Sequence, residues 1–471
     1  MSMLDVARGA YVRSPPALRR SLAPLLSLVP TRARFGPTYR RQRAEIARAA
    51  ADPAFAEARQ LENLRRLITR AHAHSPFYRR LIDTAFGPHA DLSAVTPADL
   101  RRLPVLDRHQ LTAIGEAVLA APAASLDRAE TSGSNAEKPF AFWLDKNRSA
   151  REMAFVYDVW SRIGFDERTA RAAFRGLALY PKGERVDEWD PALRELRLSV
   201  FPMTLADAAR YLDLIDRRCI RYLYGYASAL DLFCRQLRRL DRRPKLQIKG
   251  IMPISEPLLP HQRRAIAGVL GDVPFACFYG LSEKVLFAAE LPGSGGAYAF
   301  DPLYGLAELV DAEGRPVTEK GKEGRIIGTG FLSTGMPFIR YDTGDSARLV
   351  APPGPENGCR LIVDRLMPRR KPDYLVTAGG DRVVTVDLTP EDPEMFAGID
   401  EFQFYQDTPG KVLLRYVGAP EGDAADAQSF AGYLGRRTQG KLSFEPVRVD
   451  RIVAGRGGKR AFVEQRLNLA D

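Results

Sequence analysis

The sequence predicts an α/β fold: a large N-terminal region of several subdomains, with mixed sheets flanked by helices, followed by a small α+β C-terminal domain. Three observations carry this. Between Thr131 and Phe287, short apolar strand patterns alternate with helical ones, which implies crossover connections and helices on the faces of a sheet. From Ala297 to Val350 the pattern changes to strand–turn–strand. Beyond the Pro- and Arg-rich stretch Pro368 to Pro372, strands and one helix alternate again in a shorter unit. The division this suggests is 1–368, a linker at 369–372, and 373–471.

Taken in order, residues 1–50 are basic and punctuated by Pro15, Pro16, Pro24, Pro30 and Pro37. They read as short helices strapped over a larger body, with Leu18 to Val29 amphipathic enough for that body or for peripheral contact with a membrane surface. Leu61, Leu64, Ile68 and Ala71 recur at helical spacing, and the helix should stop at Ser75-Pro76, where the residue before proline resists helical geometry. Leu196, Leu198 and Val200 alternate as a strand, and Ile248 to Ile254 is another; Leu205 to Arg217 and Ser228 to Leu240 read as helices. Leu306 to Val310, the tight turn Asp311-Ala312-Glu313-Gly314, and Arg325 to Phe331 read as a meander. In the last segment Phe402/Phe404, Val412 to Val417 and Val447 to Val453 are strands, with a helix at Asp426 to Arg437.

Composition narrows the function classes. The chain has 471 residues, 45% of them hydrophobic and 27% charged, enough to build a core and too apolar for global disorder. No stretch approaches the about 20 apolar residues of a membrane span, and no secretory pattern opens the chain, so a cytoplasmic protein is expected. Cys219, Cys234, Cys277 and Cys359 are too scattered for a disulfide scaffold or a zinc knuckle. Subtracting 58 acidic from 69 basic residues leaves +11. Nucleic acid, anionic lipid or a phosphorylated small molecule could each answer that charge. The arginines are dispersed over helical segments, so a solvated surface is the expectation and nucleic acid is not.

Three motifs carry chemistry. Thr131-Ser132-Gly133-Ser134-Asn135-Ala136-Glu137-Lys138-Pro139 is a loop of hydroxyls and backbone N–H donors with a lysine, the means by which loops wrap phosphate oxygens. Phe278-Tyr279-Gly280-Leu281-Ser282-Glu283 offers an aromatic face, a hydroxyl donor and a hard oxygen ligand suited to Mg²⁺. In Met336 to Asp345, the carboxylate of Asp345 follows a glycine at a strand end and can accept both hydroxyls of a ribose. Each alone is an ordinary loop, core aromatic or turn cap; their order is what carries weight. Other signals fail. Gly455 to Arg460 has Val453 where a P-loop needs its first glycine and lacks the hydroxyl after the lysine, no Gly-x-Ser-x-Gly elbow occurs, and His72 and His74 diverge on a helix.

The order and spread of these motifs resemble the adenylate-forming superfamily of acyl- and aryl-CoA ligases, peptide-synthetase adenylation domains and luciferases, within it the phenylacetate-CoA ligase-like branch and its CapK-type capsular polysaccharide members. The resemblance extends over Ala71 to Tyr78, Leu103 to Leu106, Gly225 to Leu230, Ser255 to Leu258 and Gly457-Gly458-Lys459. It implies the adenylate-forming fold, ATP and Mg²⁺ as cofactors, and CoA as the acyl acceptor, with an amino or hydroxyl group of a sugar or glycan as the alternative acceptor and a non-catalytic nucleotide-binding scaffold as the alternative to catalysis. Thr131, Ser132, Gly133, Ser134 and Lys138 would lie in the triphosphate loop. Ser255, Glu256 and Pro257 would border the adenine, with Tyr279 and Gly280 beside it; Ser282 would touch the α-phosphate and Glu283 would hold Mg²⁺. Asp345 would bind the ribose, Arg370 would follow the hinge, and Lys459 would reach the reacting groups. Gly225, Tyr226 and Ser228 would line the carboxylic-acid pocket. Asn135-Ala136 depart from the usual Thr-Gly of the loop, and alanine does not take positive φ cheaply. Arg369 stands where a glycine is usual, and the segment after Glu283 has no cysteine-rich insert. The expected oligomer is a monomer or homodimer.

Overall fold

The computed structural model describes residues 35–130, 140–175, 186–191, 193–200, 203–255, 258, 260–367, 374–388, 398–418, 422–450, 452 and 463–467. Three successive helices, α1 (Gly36–Ala51), α2 (Pro53–His74) and α3 (Pro76–Phe86), begin this part. Their joins follow from the sequence. The Asp52 side chain accepts from Phe55 N, Ser75 accepts from Tyr78 N, and each cap precedes a proline whose missing N–H costs nothing in a first turn. The short helices expected before residue 50 are, over 36–51, one helix of 16 residues; Leu18 to Val29 lies outside the described residues. A short α4 (Arg108–Ile114) is held by a capping box of Asp107 and Gln110. An antiparallel pair, β1 (Asp127–Glu130) and β2 (Ala141–Leu144), then flanks residues 131–139.

Helix α5 (Arg148–Ser161) leads into the first large sheet: β3 (Arg171–Phe174), β4 (Asp187–Asp190), β5 (Glu195–Leu198), β6 (Tyr222–Tyr226) and β7 (Gly250–Ile254). Its order is β4-β5-β3-β6-β7, parallel except for β4. Helices α6 (Leu205–Arg217) and α7 (Ala227–Arg239) cross over from β5 to β6 and from β6 to β7, α8 (Pro260–Leu270) follows β7, and the core cluster from Ala172 to Val273 lies on the face they cover. The opposite face packs against α1 and α5 through Trp160, Tyr222, Tyr224 and Met252.

The second large sheet comprises β8 (Phe278–Gly280), β9 (Phe287–Glu290), β10 (Tyr298–Phe300), β11 (Gly305–Val310), β12 (Glu323–Gly330), β13 (Tyr341–Ala351) and β14 (Ile362–Met367), ordered β11-β12-β13-β14-β10-β9-β8 with antiparallel neighbours throughout. The tight hairpin expected at Asp311 is a longer connection, residues 311–322, nucleated by the Asp311 carboxylate, which accepts from Glu313 N at 3.0 Å and Arg315 N at 2.8 Å. The sheet curls until its β8–β9 corner lies on β11 and β12. Glycines permit this: a Cβ at Gly305 would meet Val285 O at 2.4 Å and Thr329 O at 3.0 Å, and one at Gly328 would meet Val285 Cγ1 at 2.7 Å. Because the obstacles at Gly305 are backbone, Gly305→Ala should cost about 1–3 kcal/mol, read as a lower urea midpoint at unchanged slope. An unchanged midpoint would mean that the corner does not bear on the glycines.

The C-terminal unit contains β15 (Tyr374–Val376), β16 (Arg382–Val384), β17 (Ile399–Thr408), β18 (Lys411–Gly418), α9 (Ala424–Arg437), β19 (Ser443–Arg448) and β20 (Val463–Gln465). Its four-stranded sheet runs β19-β18-β17-β20, with an antiparallel centre and parallel edges, over a core of Phe402, Phe404, Leu414 and Phe430. The strand expected at Val447 to Val453 ends at Arg448 and begins earlier, at Ser443. The short β15, β16 and β20 carry too few residues to show a period. The expected linker, with Arg370 and Pro372, lies outside the described residues.

Candidate functional site

Two of the three motifs meet at the curled sheet. Leu281 to Lys284 form a turn closed by Lys284 N on Leu281 O at 3.1 Å, with Lys284 in the left-handed region at φ 60°. Ser282 and Glu283 are its central residues. Ser282 is exposed; Glu283 points inward and is 8% exposed. Lys284 turns the other way, onto Glu152 Oε1 of α5 at 2.7 Å.

Asp345 reaches the same place through a bulge. Between the pairs Ile327↔Asp342 and Arg325↔Ser346, β12 advances past Ile326 alone while β13 passes Thr343, Gly344 and Asp345. The extra residues break the pleat and re-aim the side chains. The bulge is fastened by Thr343 Oγ1 donating to Ile326 O at 2.8 Å, by Asp345 N donating to Thr343 Oγ1 at 3.1 Å, and by Gly344 at φ 78°. Tyr279 on β8 then donates its hydroxyl to Asp345 Oδ2 at 2.7 Å, and Tyr341 donates to Glu283 Oε1 at 2.9 Å. The Tyr279 ring, half-buried, stands edge-on to Phe300 at 5.7 Å.

The electrostatics follow from the burial. Removal from water raises the pKa of Glu283 first, and the charge of Asp345 raises it further against the lowering hydrogen bonds to its own backbone and to Tyr341. Burial, then Asp345, holds the Tyr279 phenol well above its ordinary value, so it remains a donor. Two acidic side chains thus share a poorly hydrated spot beside two phenols, an arrangement that favours a cation or a hydroxyl-rich ligand. Mg²⁺ fits this donor set. Among the described residues no three His, Cys, Asp or Glu side chains gather as a complete ligand shell, and Mg²⁺ characteristically takes one or two carboxylates with phosphate and water supplying the rest.

The segments expected to border the acid and the adenine lie at the carboxyl ends of adjacent parallel strands, the position where open α/β sheets bind ligands. Gly225 and Tyr226 close β6, in register with Pro253 and Ile254 of β7, and Ser255 follows at φ 63°, exposed. Gly225 is required where it stands: its φ is 150°, and a Cβ would meet Phe174 O at 2.1 Å. Ser228 lies in the first turn of α7. The chain leaves this sheet through Phe275, which pairs with Ile251, and enters β8 at Phe278, so a short segment links the two halves of the site. Thr131, Ser132, Gly133, Ser134, Lys138, Glu256, Pro257, Arg370 and Lys459 lie outside the described residues.

Sequence reasoning did not assign roles to several residues that hold the site. Tyr78, fully buried, donates its hydroxyl to Pro337 O at 3.0 Å and receives Ile339 N at 3.4 Å. Arg340, also buried, bonds Glu308 and, at 2.7 Å, Leu103 O, while Leu106 pairs with Tyr341. Ser-Pro-Phe-Tyr and Leu103 to Leu106 were visible as segments, but a packing role across so many residues leaves no local signature.

No known family profile matches the chain. It is 22% identical over 375 residues to Protein CapK of Staphylococcus aureus, spanning 78% of this chain and 80% of that protein. It is 25% identical over 298 residues to the phenylacetate-coenzyme A ligase of Thermus thermophilus, 61% of this chain and 64% of that enzyme. Its fold superposes on the crystal structure of 2-hydroxyisobutyryl-CoA ligase, solved with 2-HIB-AMP and CoA in the thioesterification state, with a TM-score of 0.53 at 18% identity over 88% of this chain and 90% of that one. No described helix is long and apolar enough to cross a membrane.

Proposed function

We propose that this chain, which belongs to the adenylate-forming superfamily, uses ATP to activate a carboxylic acid as its acyl-adenylate and passes the acyl group to CoA. The observation that carries the reading is the pair Tyr279–Asp345 set beside the turn-borne Glu283. A carboxylate is a poor electrophile because its leaving group would be oxide. Its attack on the α-phosphorus of ATP releases pyrophosphate and makes AMP the leaving group for the second step. In this reading Asp345, oriented by Tyr279, accepts the ribose hydroxyls. Ser282 donates to the α-phosphate from the exposed side of the turn, and Glu283, held by Tyr341, offers its carboxylate to Mg²⁺. Bound there, Mg²⁺ supplies Lewis-acid neutralisation of phosphate charge. Gly225, Tyr226 and Ser228 border the acid; Ser255, Glu256 and Pro257 border the base. Thr131 to Ser134 with Lys138 hold the departing phosphates, and Lys459 offsets the charge of two anions brought together. The unit 373–471 rotates about Lys371-Pro372 between the two half-reactions, with Arg370 beside that hinge.

The test is a pyrophosphate-release screen over aryl, fatty, amino and sugar acids, with and without CoA. The expected result is release with at least one acid and a CoA-dependent thioester. Release followed by transfer to a sugar amine or hydroxyl, with no thioester, would replace CoA by the glycan acceptor. Nucleotide binding without release from any acid would leave only the scaffold reading.

A further inference from the structure

We infer that the acid carries a second anionic group, recognised by Arg175; this rests on the acid-activation reading. Arg175 is the residue after Phe174, the last of β3, and Phe174 pairs with Gly225. It therefore flanks Gly225 and Tyr226 at the carboxyl end of the sheet. In the strand alternation it shares a face with Arg171 and Ala173, the face that packs on α5.

The charges on that face can be matched one by one. Arg171 is buried and paired with Glu195 at 2.7 Å. Arg197, from β5, is engaged by Asp190 at 2.6 Å, Glu195 at 3.4 Å and Glu188 at 3.7 Å. Glu152, from α5, is paired with Lys284 at 2.7 Å. Tyr224 lies among these groups: Arg175 and Arg171 oppose, and Glu195 and Glu152 reinforce, the rise that burial imposes on its phenol. Arg175 forms no ion pair among the described residues, although its charge helps to keep Glu195 ionised from a distance. Its guanidinium stands over the Tyr224 ring at 5.7 Å, and its Nε is shielded from solvent without a hydrogen-bond partner among the described residues.

A half-buried guanidinium stacked on a ring, with no carboxylate in ion-pair contact among the described residues, presents its fork to whatever enters beside it. Planar bidentate donors suit a carboxylate, sulfate or phosphate group. The reacting carboxylate is drawn toward the nucleotide at Glu283 and Asp345, so the group that meets Arg175 belongs to the other end of the acid. Such a site accepts a dianion and discriminates against an analogue ending in a methyl group, because the guanidinium would then be left unpaired.

The experiment uses length-matched pairs: succinate with butyrate, glutarate with valerate, adipate with caproate, and phthalate with benzoate. With the full-length protein, at least one dianion should exceed its partner in kcat/KM for pyrophosphate release by at least about tenfold. Arg175→Met should abolish that preference and leave the rate with the monoanion unchanged; Arg175→Lys should keep part of it and serves if the methionine variant folds poorly. Equal loss with both members of each pair, or a raised KM for ATP, would place Arg175 at the reacting centre and overturn the assignment. Wild-type preference for monoanions would overturn it as well. If no acid supports release, the activation reading fails, and thermal stabilisation by the same acids decides the matter. Dianion-specific stabilisation lost in Arg175→Met upholds the site, and its absence removes it.

Discussion

Glu283→Gln is expected to lower pyrophosphate release by about 10²–10³-fold and, in the ligand-free protein, to raise the melting temperature at neutral pH. The two effects share one cause. Glu283 is buried at the centre of its turn, and burial, aided by Asp345, holds its pKa above the usual carboxylate range. A carboxyl whose folded pKa is raised adds stability that is fully present below its unfolded pKa and is lost as pH rises through the folded value. The wild-type protein therefore softens as pH climbs through that window, and a neutral glutamine does not. Glutamine keeps an oxygen to accept from Tyr341, so the turn is retained while the charge proposed to hold Mg²⁺ is removed. Melting temperature against pH should show the two proteins alike in acid and the variant more stable above. A variant that is less stable at neutral pH, or that releases pyrophosphate normally, would contradict the role given to Glu283.

Lys459→Ala is expected to abolish acid-dependent pyrophosphate release, by about 10² or more, and to spare the thioester step when the acyl-adenylate is supplied directly. The distinction is electrostatic. Only the first half-reaction brings a carboxylate against a phosphate that is itself anionic. In the second, the acyl carbon is already neutral and AMP departs with its charge formed. Measuring ATP–pyrophosphate exchange and thioester formation from synthetic acyl-adenylate separates the two. Equal loss in both would make Lys459 structural, and wild-type exchange would remove it from the chemistry.

The parallel sheet and its helices were legible because their periods differ and their lengths suffice: Leu205 to Arg217 reads as a helix and is one. The motifs around Tyr279, Glu283 and Asp345 were legible as chemistry, since each combines an aromatic or a glycine with a carboxylate in a few residues. Their mode of assembly was not. The bulge that re-aims Asp345 depends on Ile326, and the seat of Val285 depends on Gly305 and Gly328; neither relation leaves a trace in local spacing. Arg175 leaves no signal in the sequence for a related reason. In a chain with 69 basic residues, one arginine without an ion pair among the described residues stands out only once the contacts of its neighbours are known.

The Tyr78 hydroxyl joins α3 to the approach to β13 across a sequence separation of 259 residues. During synthesis the first helices must wait, with one apolar face uncovered, until that distant stretch has left the ribosome. Long-range closure of this kind is slow, because chain entropy is spent before contacts reward it. The arrival of residues 337–339, rather than any local propensity, then sets when these helices can bury that face.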